Sequence, residues 1–252
     1  KLMKNRGPDH FGSFTFNSKN NFLKFFSSRL KILDLNNKSN QPFYYKNYVL
    51  IFNGEIYNYI ELKEQLKKRN YSFQTSSDTE VLIKSFDCWK EKCVDYFEGM
   101  WSFALFDKLK KTIFLSRDSF GEKPLFYYKD NNNFVFGSEI KFILNLYNNS
   151  LVKKINHKKI RNYLSLGHKS INTDDETFYS NIKKLNSGSN IFFNTNNGKF
   201  TKKKFFNKKI FFNSNDYKFK NFNDYSRKIK EALENSIKLR LRADVNVTFC
   251  LS

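Results

Sequence analysis

The sequence has few of the residues that define several protein classes. Its 252 residues include only three Cys, three Pro and nine Gly. Three Cys are too few for a disulfide framework and favour a reducing setting, so we expect a cytoplasmic protein. So few Pro and Gly exclude collagen-like and proline-rich chains. Apolar runs such as 48–52 are far shorter than the ~20 residues of a membrane-spanning helix, and no export signal is predicted.

Acidic residues are also scarce, with 24 Asp and Glu against 45 Lys and Arg and a net charge of +21. Such an excess is typical of proteins that bind nucleic acids or anionic membranes. However, Lys is spread along the chain with one local rise at 199–209, and no Arg cluster is present. A low-GC genome, which favours Lys, Asn, Phe and Ile codons, would give the same composition. A basic nucleic-acid-binding protein therefore remains an alternative, but a disfavoured one.

Material for a folded core is abundant. Hydrophobic residues make up 40% of the chain, which includes 30 Phe, and the length predicts one or two domains. Short strands separated by turn signals, with helices to one side, indicate an α+β fold. Strands are predicted over 29–35, 43–52 with a bend at 46–47, 100–106, 112–116, 125–128 and 134–136, with a further hairpin turning at 196–198. Helices are predicted from residue 56, from a Ser77–Glu80 capping box, over 139–146 and over 157–166.

The last part of the sequence has a different pattern. Residues 207–222 lose clear periodicity and are predicted to form a linker. Ile229, Leu233 and Ile237 then recur at helical spacing within 224–241, and an apolar run over 245–251 predicts a strand. A long helix that leads into a buried strand is typical of the start of an α/β domain.

Several short motifs recur in an order that resembles one family. They are Arg6-Gly7-Pro8-Asp9, Arg29-Leu30 leading to Asp34, FNGEIYN at 52–58, SDTE at 77–80, SRDSFGEKPL at 116–125, FGSEIK at 136–141 and RADV at 242–245. Together they resemble the glutamine-hydrolysing asparagine synthetase family. The resemblance implies a four-layer αββα Ntn-hydrolase sandwich of two antiparallel sheets at 1–206, a linker at 207–222, and the beginning of an ATP-pyrophosphatase-type domain at 223–252.

The resemblance also implies a glutamine site. The planar fork of Arg29 suits the α-carboxylate and Asp78 suits the α-ammonium group. The Asn53 side-chain amide and the Gly54 backbone N–H would form the oxyanion hole, with Glu55 in the same substrate-binding stretch. Taken alone, Asn53-Gly54 would predict a turn, Asp78 a helix N-terminus and Arg29 a solvated charge.

The nucleophile implied by the resemblance is an N-terminal Cys that uses its own α-amino group as base. Residue 1 is Lys, so we expect the nucleophile, and with it activity, to lie outside this sequence. Cys88, Cys93 and Cys250 are predicted to be small core or surface residues, and no metal-ligand pattern is present. Leu251 matches a position that contacts ATP in the family, while Glu122, Asn246 and Thr248 depart from the family pattern.

The implied activity is the transfer of glutamine-derived ammonia to ATP-activated aspartate. The expected products are asparagine, glutamate, AMP and pyrophosphate, with ATP and Mg²⁺ needed at the synthetase site and no cofactor at the glutaminase site. The expected partners are therefore glutamine, aspartate and ATP, and a homodimer is an open alternative. A related amidotransferase that acts on another carboxylate, such as a surface-polysaccharide or antibiotic precursor, is the nearest alternative.

Overall fold

The computed structural model describes residues 2–18, 21–147, 150–168, 174–206 and 222–248. Eleven strands and five α-helices lie within these ranges. The strands are β1 His10–Ser18, β2 Asn21–Arg29, β3 Phe43–Tyr45, β4 Tyr48–Ile56, β5 Gly99–Asp107, β6 Thr112–Arg117, β7 Phe126–Lys129, β8 Phe134–Gly137, β9 Ile182–Lys184, β10 Ser189–Asn194 and β11 Phe200–Lys204. The helices are α1 Tyr59–Lys67, α2 Asp78–Trp89, α3 Ile140–Leu146, α4 His157–Leu166 and α5 Phe222–Arg240.

Backbone hydrogen bonds join the strands into antiparallel sheets. The largest is six-stranded, in the order β11-β10-β6-β5-β4-β3. A two-stranded hairpin, β1-β2, and a three-stranded sheet, β8-β7-β9, are separate from it. The described residues thus form three sheets where two were predicted. The coarse prediction, a mixed fold of antiparallel sheets and helices, is confirmed.

The two faces of the six-stranded sheet pack against different partners. One face forms a core with helices α1 and α2, through residues such as Leu62 and Leu82. The other face packs Val49 and Phe106 against Phe25 of the β1-β2 hairpin, with Phe136 of β8 at its border. A third cluster on the β7-β9 sheet includes Ile143 of α3. Aromatic rings supply much of the second core, which accounts for the high Phe content.

Most locally encoded elements match their predictions. The hairpin turn at 46–47, helix α2 after Ser77, strands β5 to β8 and the end of α4 at Gly167 are all confirmed. The turn at 196–198 joins β10 to β11, and its Gly198 has a φ of +67°. Strands β1, β2 and β9 were not predicted.

Two predicted strands are wrong where the structure describes them. Arg29 is the last residue of β2, and residues 30–35 form a loop rather than a strand. The reason is that Asp34 has a φ of +52°, which no strand allows. Residues 245–248 are not in a strand either, while 249–251 lie outside the described residues. So do residues 207–221 of the linker predicted at 207–222, and its last residue, Phe222, begins helix α5.

The predicted capping box at α2 forms in a different way. The Ser77 hydroxyl accepts a hydrogen bond from the N–H of Thr79, not of Glu80, at 3.1 Å. Glu80 turns away from Ser77 and accepts from the Gln74 and Thr75 N–H groups at 3.1 and 2.7 Å. The Lys84 ammonium completes this arrangement, 2.5 Å from the Glu80 carboxylate. This buried pair anchors the loop before α2 and therefore the position of Asp78.

No helix of the described ranges is both long and apolar enough to span a membrane.

We expect Lys84→Met to lower the free energy of unfolding by about 3 kcal/mol, because it leaves the buried Glu80 carboxylate without its counter-charge. The matched control is Lys67→Met. Lys67 pairs with Glu64 on the surface, where both side chains are about half exposed, and exposed pairs contribute under ~1 kcal/mol. Urea unfolding followed by circular dichroism measures both variants. Equal losses of stability in the two would contradict a special role for the buried pair.

Candidate functional site

Beyond Leu50 no strand covers the outer edge of β4, so the N–H groups of Phe52, Gly54 and Ile56 on that edge have no strand partner. Backbone groups of a strand point alternately to its two sides. On the side away from β5, the Phe52 N–H donates to the Gln41 side chain at 2.7 Å and the Ile56 N–H donates to Asp78 at 3.0 Å. Gly54 lies between them and points the same way, because its opposite residue, Trp101, bonds to Asp118 across the sheet. Strand β3 ends its pairing at Leu50, so it does not cover Gly54.

Only glycine fits at position 54. Its φ is +150°, and a Cβ there would lie 2.1 Å from the Met100 carbonyl oxygen of β5. The close approach of β4 to β5 therefore requires a glycine at position 54. The interpretation of Asn53-Gly54 as a turn is wrong, since both residues lie inside β4.

Asp78 is the first residue of α2 and is almost fully buried, with 5% of its surface exposed. One carboxylate oxygen accepts the Ile56 N–H at 3.0 Å. Burial, with the nearby Glu55 charge, raises the pKa of Asp78 to about 6 despite that hydrogen bond. Among the described residues no side chain forms a salt bridge with Asp78, so this buried carboxylate is a favourable place for an ammonium group.

The Arg29 guanidinium lies at the same cleft but is already hydrogen-bonded within the protein. Its two terminal nitrogens donate to the carbonyl oxygens of Leu33, Asp34 and Asn36 and to the side chain of Asn40. Burial lowers the pKa of Arg29, while Asp34 and Asp78 oppose that shift. Arg29 therefore holds the 33–40 loop around its guanidinium and brings positive charge near Asp78. Its role towards a ligand carboxylate remains a prediction.

Glu55 and Lys123 are further ionisable side chains of the cleft. Burial raises the pKa of Glu55, and the positive charge of Lys123 acts against that rise. Both residues line an open cleft of about 1680 Å³, together with Arg29, Asn53, Gly54 and Asp78. The structure thus brings all five predicted glutamine-site residues to one cleft. Leu251, the predicted ATP contact, lies outside the described residues.

Ser138 is a site residue that sequence reasoning did not single out. The Asn53 amide nitrogen lies 3.3 Å from the Ser138 hydroxyl, so Ser138 orients the predicted oxyanion donor. The next residue, Glu139, pairs with Arg6 at 2.8 Å, which links two of the sequence motifs. The signal in the sequence is the FGSEIK motif, which contains Ser138.

The SRDSFGEKPL motif shapes a loop at the cleft. Asp118 is fully buried and accepts from the N–H groups of Phe120, Glu122 and Lys123. Arg117 donates to the Gly121, Lys123 and Leu185 carbonyls. This closed loop is what carries Lys123 to the cleft.

The cysteines of the described part of the chain do not suit nucleophilic catalysis. Cys88 lies on α2, and Cys93 is fully buried, which raises the pKa of its thiol. Cys250 lies outside the described residues. Within those residues, His, Cys, Asp and Glu side chains form no group of three that could hold a metal ion.

Comparison with known proteins assigns the family. The sequence model of the glutamine amidotransferase domain matches residues 1–206. The chain belongs to the glutamine amidotransferase family. This amidotransferase chain is 36% identical over its whole length to a Methanocaldococcus jannaschii protein named asparagine synthetase (glutamine-hydrolysing) 2, and covers 50% of that protein. It is 33% identical, again over its whole length, to asparagine synthetase (glutamine-hydrolysing) 1 of Bacillus subtilis, of which it covers 38%.

The resemblance to glutamine-hydrolysing asparagine synthetases is therefore confirmed, while the chain spans half or less of the length of these two relatives. Among solved structures, a glutamine phosphoribosylpyrophosphate amidotransferase of B. subtilis aligns over 73% of the chain and 35% of its own. The TM-score is 0.48 and the sequence identity 18%.

We expect Asp78→Asn to stabilise the amidotransferase at pH 8 by on the order of 2–3 kcal/mol. The folded pKa of about 6 exceeds the unfolded value near 3.8, so the native state binds more protons between these values. The contribution of Asp78 to stability is therefore lost as the pH rises from about 4 to 6. At pH 4 the variant and the parent should be nearly equal. Denaturant unfolding at both pH values measures the difference.

The control is Asp130→Asn, where the shift has the opposite sign. Hydrogen bonds from Asn132 and Asn133 hold the pKa of Asp130 below its usual value. Its replacement should therefore destabilise the protein at pH 8. A gain in stability from Asp78→Asn that is the same at pH 4 and pH 8 would show that the Asp78 carboxyl does not titrate in this interval.

Proposed function

We propose that this chain is the glutaminase part of an asparagine synthetase that takes its nitrogen from glutamine. The observation that carries the proposal is the edge of β4. There, the Gly54 N–H and the Asn53 amide lie in the same cleft as the buried Asp78 carboxylate and the Arg29 guanidinium. This set matches the needs of an amino-acid amide: two oxyanion donors, an acceptor for an α-ammonium group and a positive charge for an α-carboxylate.

Each residue has a role that follows from its position. Asp78 holds the α-ammonium group, since it is the buried carboxylate of the cleft. Arg29 acts on the α-carboxylate through its charge and through the loop that it folds. The Asn53 amide and the Gly54 N–H donate to the oxyanion that forms when the side-chain amide carbon is attacked. Lys123 and Glu55 balance the charge of the cleft wall.

The nucleophile is proposed to be a Cys outside these 252 residues, as the family resemblance implies. The chemistry of the thiols supports this, because burial raises the pKa of Cys93 and Cys88 belongs to α2. We therefore expect a glutaminase assay on the 252-residue chain to give no turnover. Measurable turnover would overturn the proposal for the nucleophile.

The synthetase part is proposed to begin near residue 223, after a glutaminase domain at 1–206 with the four-layer αββα arrangement. The exposed apolar residues of α5 support a further domain, because Ile229, Leu233 and Ile237 are each about half exposed on one helix face. ATP, Mg²⁺ and aspartate would bind in that part.

The test of the function is nitrogen transfer by the full-length protein. Glutamine labelled with ¹⁵N in its side-chain amide is supplied with aspartate, ATP and Mg²⁺, and labelled asparagine and AMP are measured. Release of labelled ammonia without formation of labelled asparagine would support the glutaminase activity and point to another acceptor carboxylate. No release of the amide nitrogen under any condition would overturn the proposal.

We expect Asn53→Ala in the full-length protein to slow glutamine-dependent synthesis by about 10²–10³-fold, as the loss of one oxyanion donor typically does. Ammonia-dependent synthesis should be unchanged, because supplied ammonia does not need the glutaminase site. The matched control is Asn17→Ala, an exposed residue of β1 that does not line the cleft, which should affect neither rate. Equal losses with glutamine and with ammonia would show that Asn53 is required for folding instead.

A further inference from the structure

Residues 242–244, which follow the end of helix α5 at Arg240, return to the glutaminase part of the chain. The Arg242 guanidinium donates to the Tyr57 carbonyl at 2.6 Å and forms two hydrogen bonds with the Glu61 carboxylate at 2.6 and 2.7 Å. Tyr57 directly follows Ile56, whose N–H is bound by Asp78. Arg242 therefore holds the end of strand β4, which carries the proposed oxyanion donors.

Asp244 holds the other wall of the cleft. Its N–H donates to the Ile32 carbonyl at 2.9 Å, and its carboxylate accepts the Asp34 N–H at 2.7 Å. Both partners belong to the loop that begins directly after Arg29. The 242–244 segment thus bonds at the same time to the loop of Arg29 and to the strand of Asn53 and Gly54.

Asp34 is the point at which this contact reaches the site. Its carbonyl accepts from Arg29, and its carboxylate accepts from the N–H groups of Asn36 and Ser76, two residues before Asp78. Asp34 is buried and has a φ of +52°, a backbone conformation that is unfavourable for most residues other than glycine. Each of its backbone and side-chain polar groups has a partner, and the partner of its N–H is Asp244.

We propose that Asp244 is a positioning residue for glutamine binding, which fixes the Arg29 loop and Asp78 through Asp34. This inference rests on the proposed function. Removing the Asp244 carboxylate leaves the buried Asp34 N–H without an acceptor, and the loop then has less to hold it in its strained conformation. The residue lies beyond the glutaminase domain in sequence.

The kinetic test compares Asp244→Ala with Asp244→Asn in the full-length protein. Asp244→Ala should raise the glutamine KM about tenfold and leave ammonia-dependent synthesis unchanged. Asp244→Asn keeps an acceptor oxygen of the same reach, so it should restore most of the affinity. The control is Glu231→Ala on α5, where Glu231 contacts Arg227 of the same helix, and its KM should equal that of the parent.

Hydrogen exchange gives a readout that does not depend on turnover. Saturating glutamine should slow exchange at the Asp34 and Asp244 amides in the parent protein, and this protection should be lost in Asp244→Ala. A parent that uses glutamine while Asp244→Ala keeps its KM and its protection would overturn the role of Asp244. Loss of both glutamine- and ammonia-dependent rates in Asp244→Ala would also overturn it, in favour of a purely structural role. A parent that never hydrolyses glutamine would instead overturn the proposed function.

Discussion

The hydrogen bond from the Ile56 N–H to the Asp78 carboxylate joins the two structures that build the cleft. It attaches the N-terminus of α2 to the outer edge of β4. The buried Asp78 carboxylate therefore lies beside Ile56, two residues along the strand from Gly54. A helix N-terminus favours negative charge, yet burial of Asp78 outweighs that benefit and its pKa is raised. The protein thus keeps an energetically unfavourable carboxylate at this point, as expected where a cation binds.

Sequence patterns identified the parts of this arrangement that depend on neighbouring residues. The Ser77 cap, the 46–47 turn and the Gly198 turn are encoded within a few residues, and the structure has all three. The order of the motifs supplied the family and the five cleft residues. What these patterns could not give is the partner of each residue, since the Ile56–Asp78 bond spans 22 positions.

The missed features depend on contacts between distant parts of the chain. The apolar residues of strand β2 come in adjacent pairs rather than in alternation with polar residues, and the burial of this strand becomes visible when Phe25 packs against Val49. Glu80 had a suitable local partner in Ser77 but bonds to Gln74, Thr75 and Lys84. Ser138 meets Asn53 across 85 positions. For β2 and Ser138 the observed structure depends on a contact between residues that are distant in the sequence, and the neighbouring residues alone do not specify that contact.

The raised pKa of Asp78 has a consequence for the energetics of ligand binding. A carboxyl group with a pKa of about 6 is partly protonated in mildly acidic solution. A bound ammonium group would lower that pKa, because the charged pair is more favourable than a buried neutral acid beside a cation. Association would then release a proton to the buffer. The heat measured by calorimetry near pH 6 would therefore include the ionisation enthalpy of the buffer and would differ between phosphate and a buffer with an amine group.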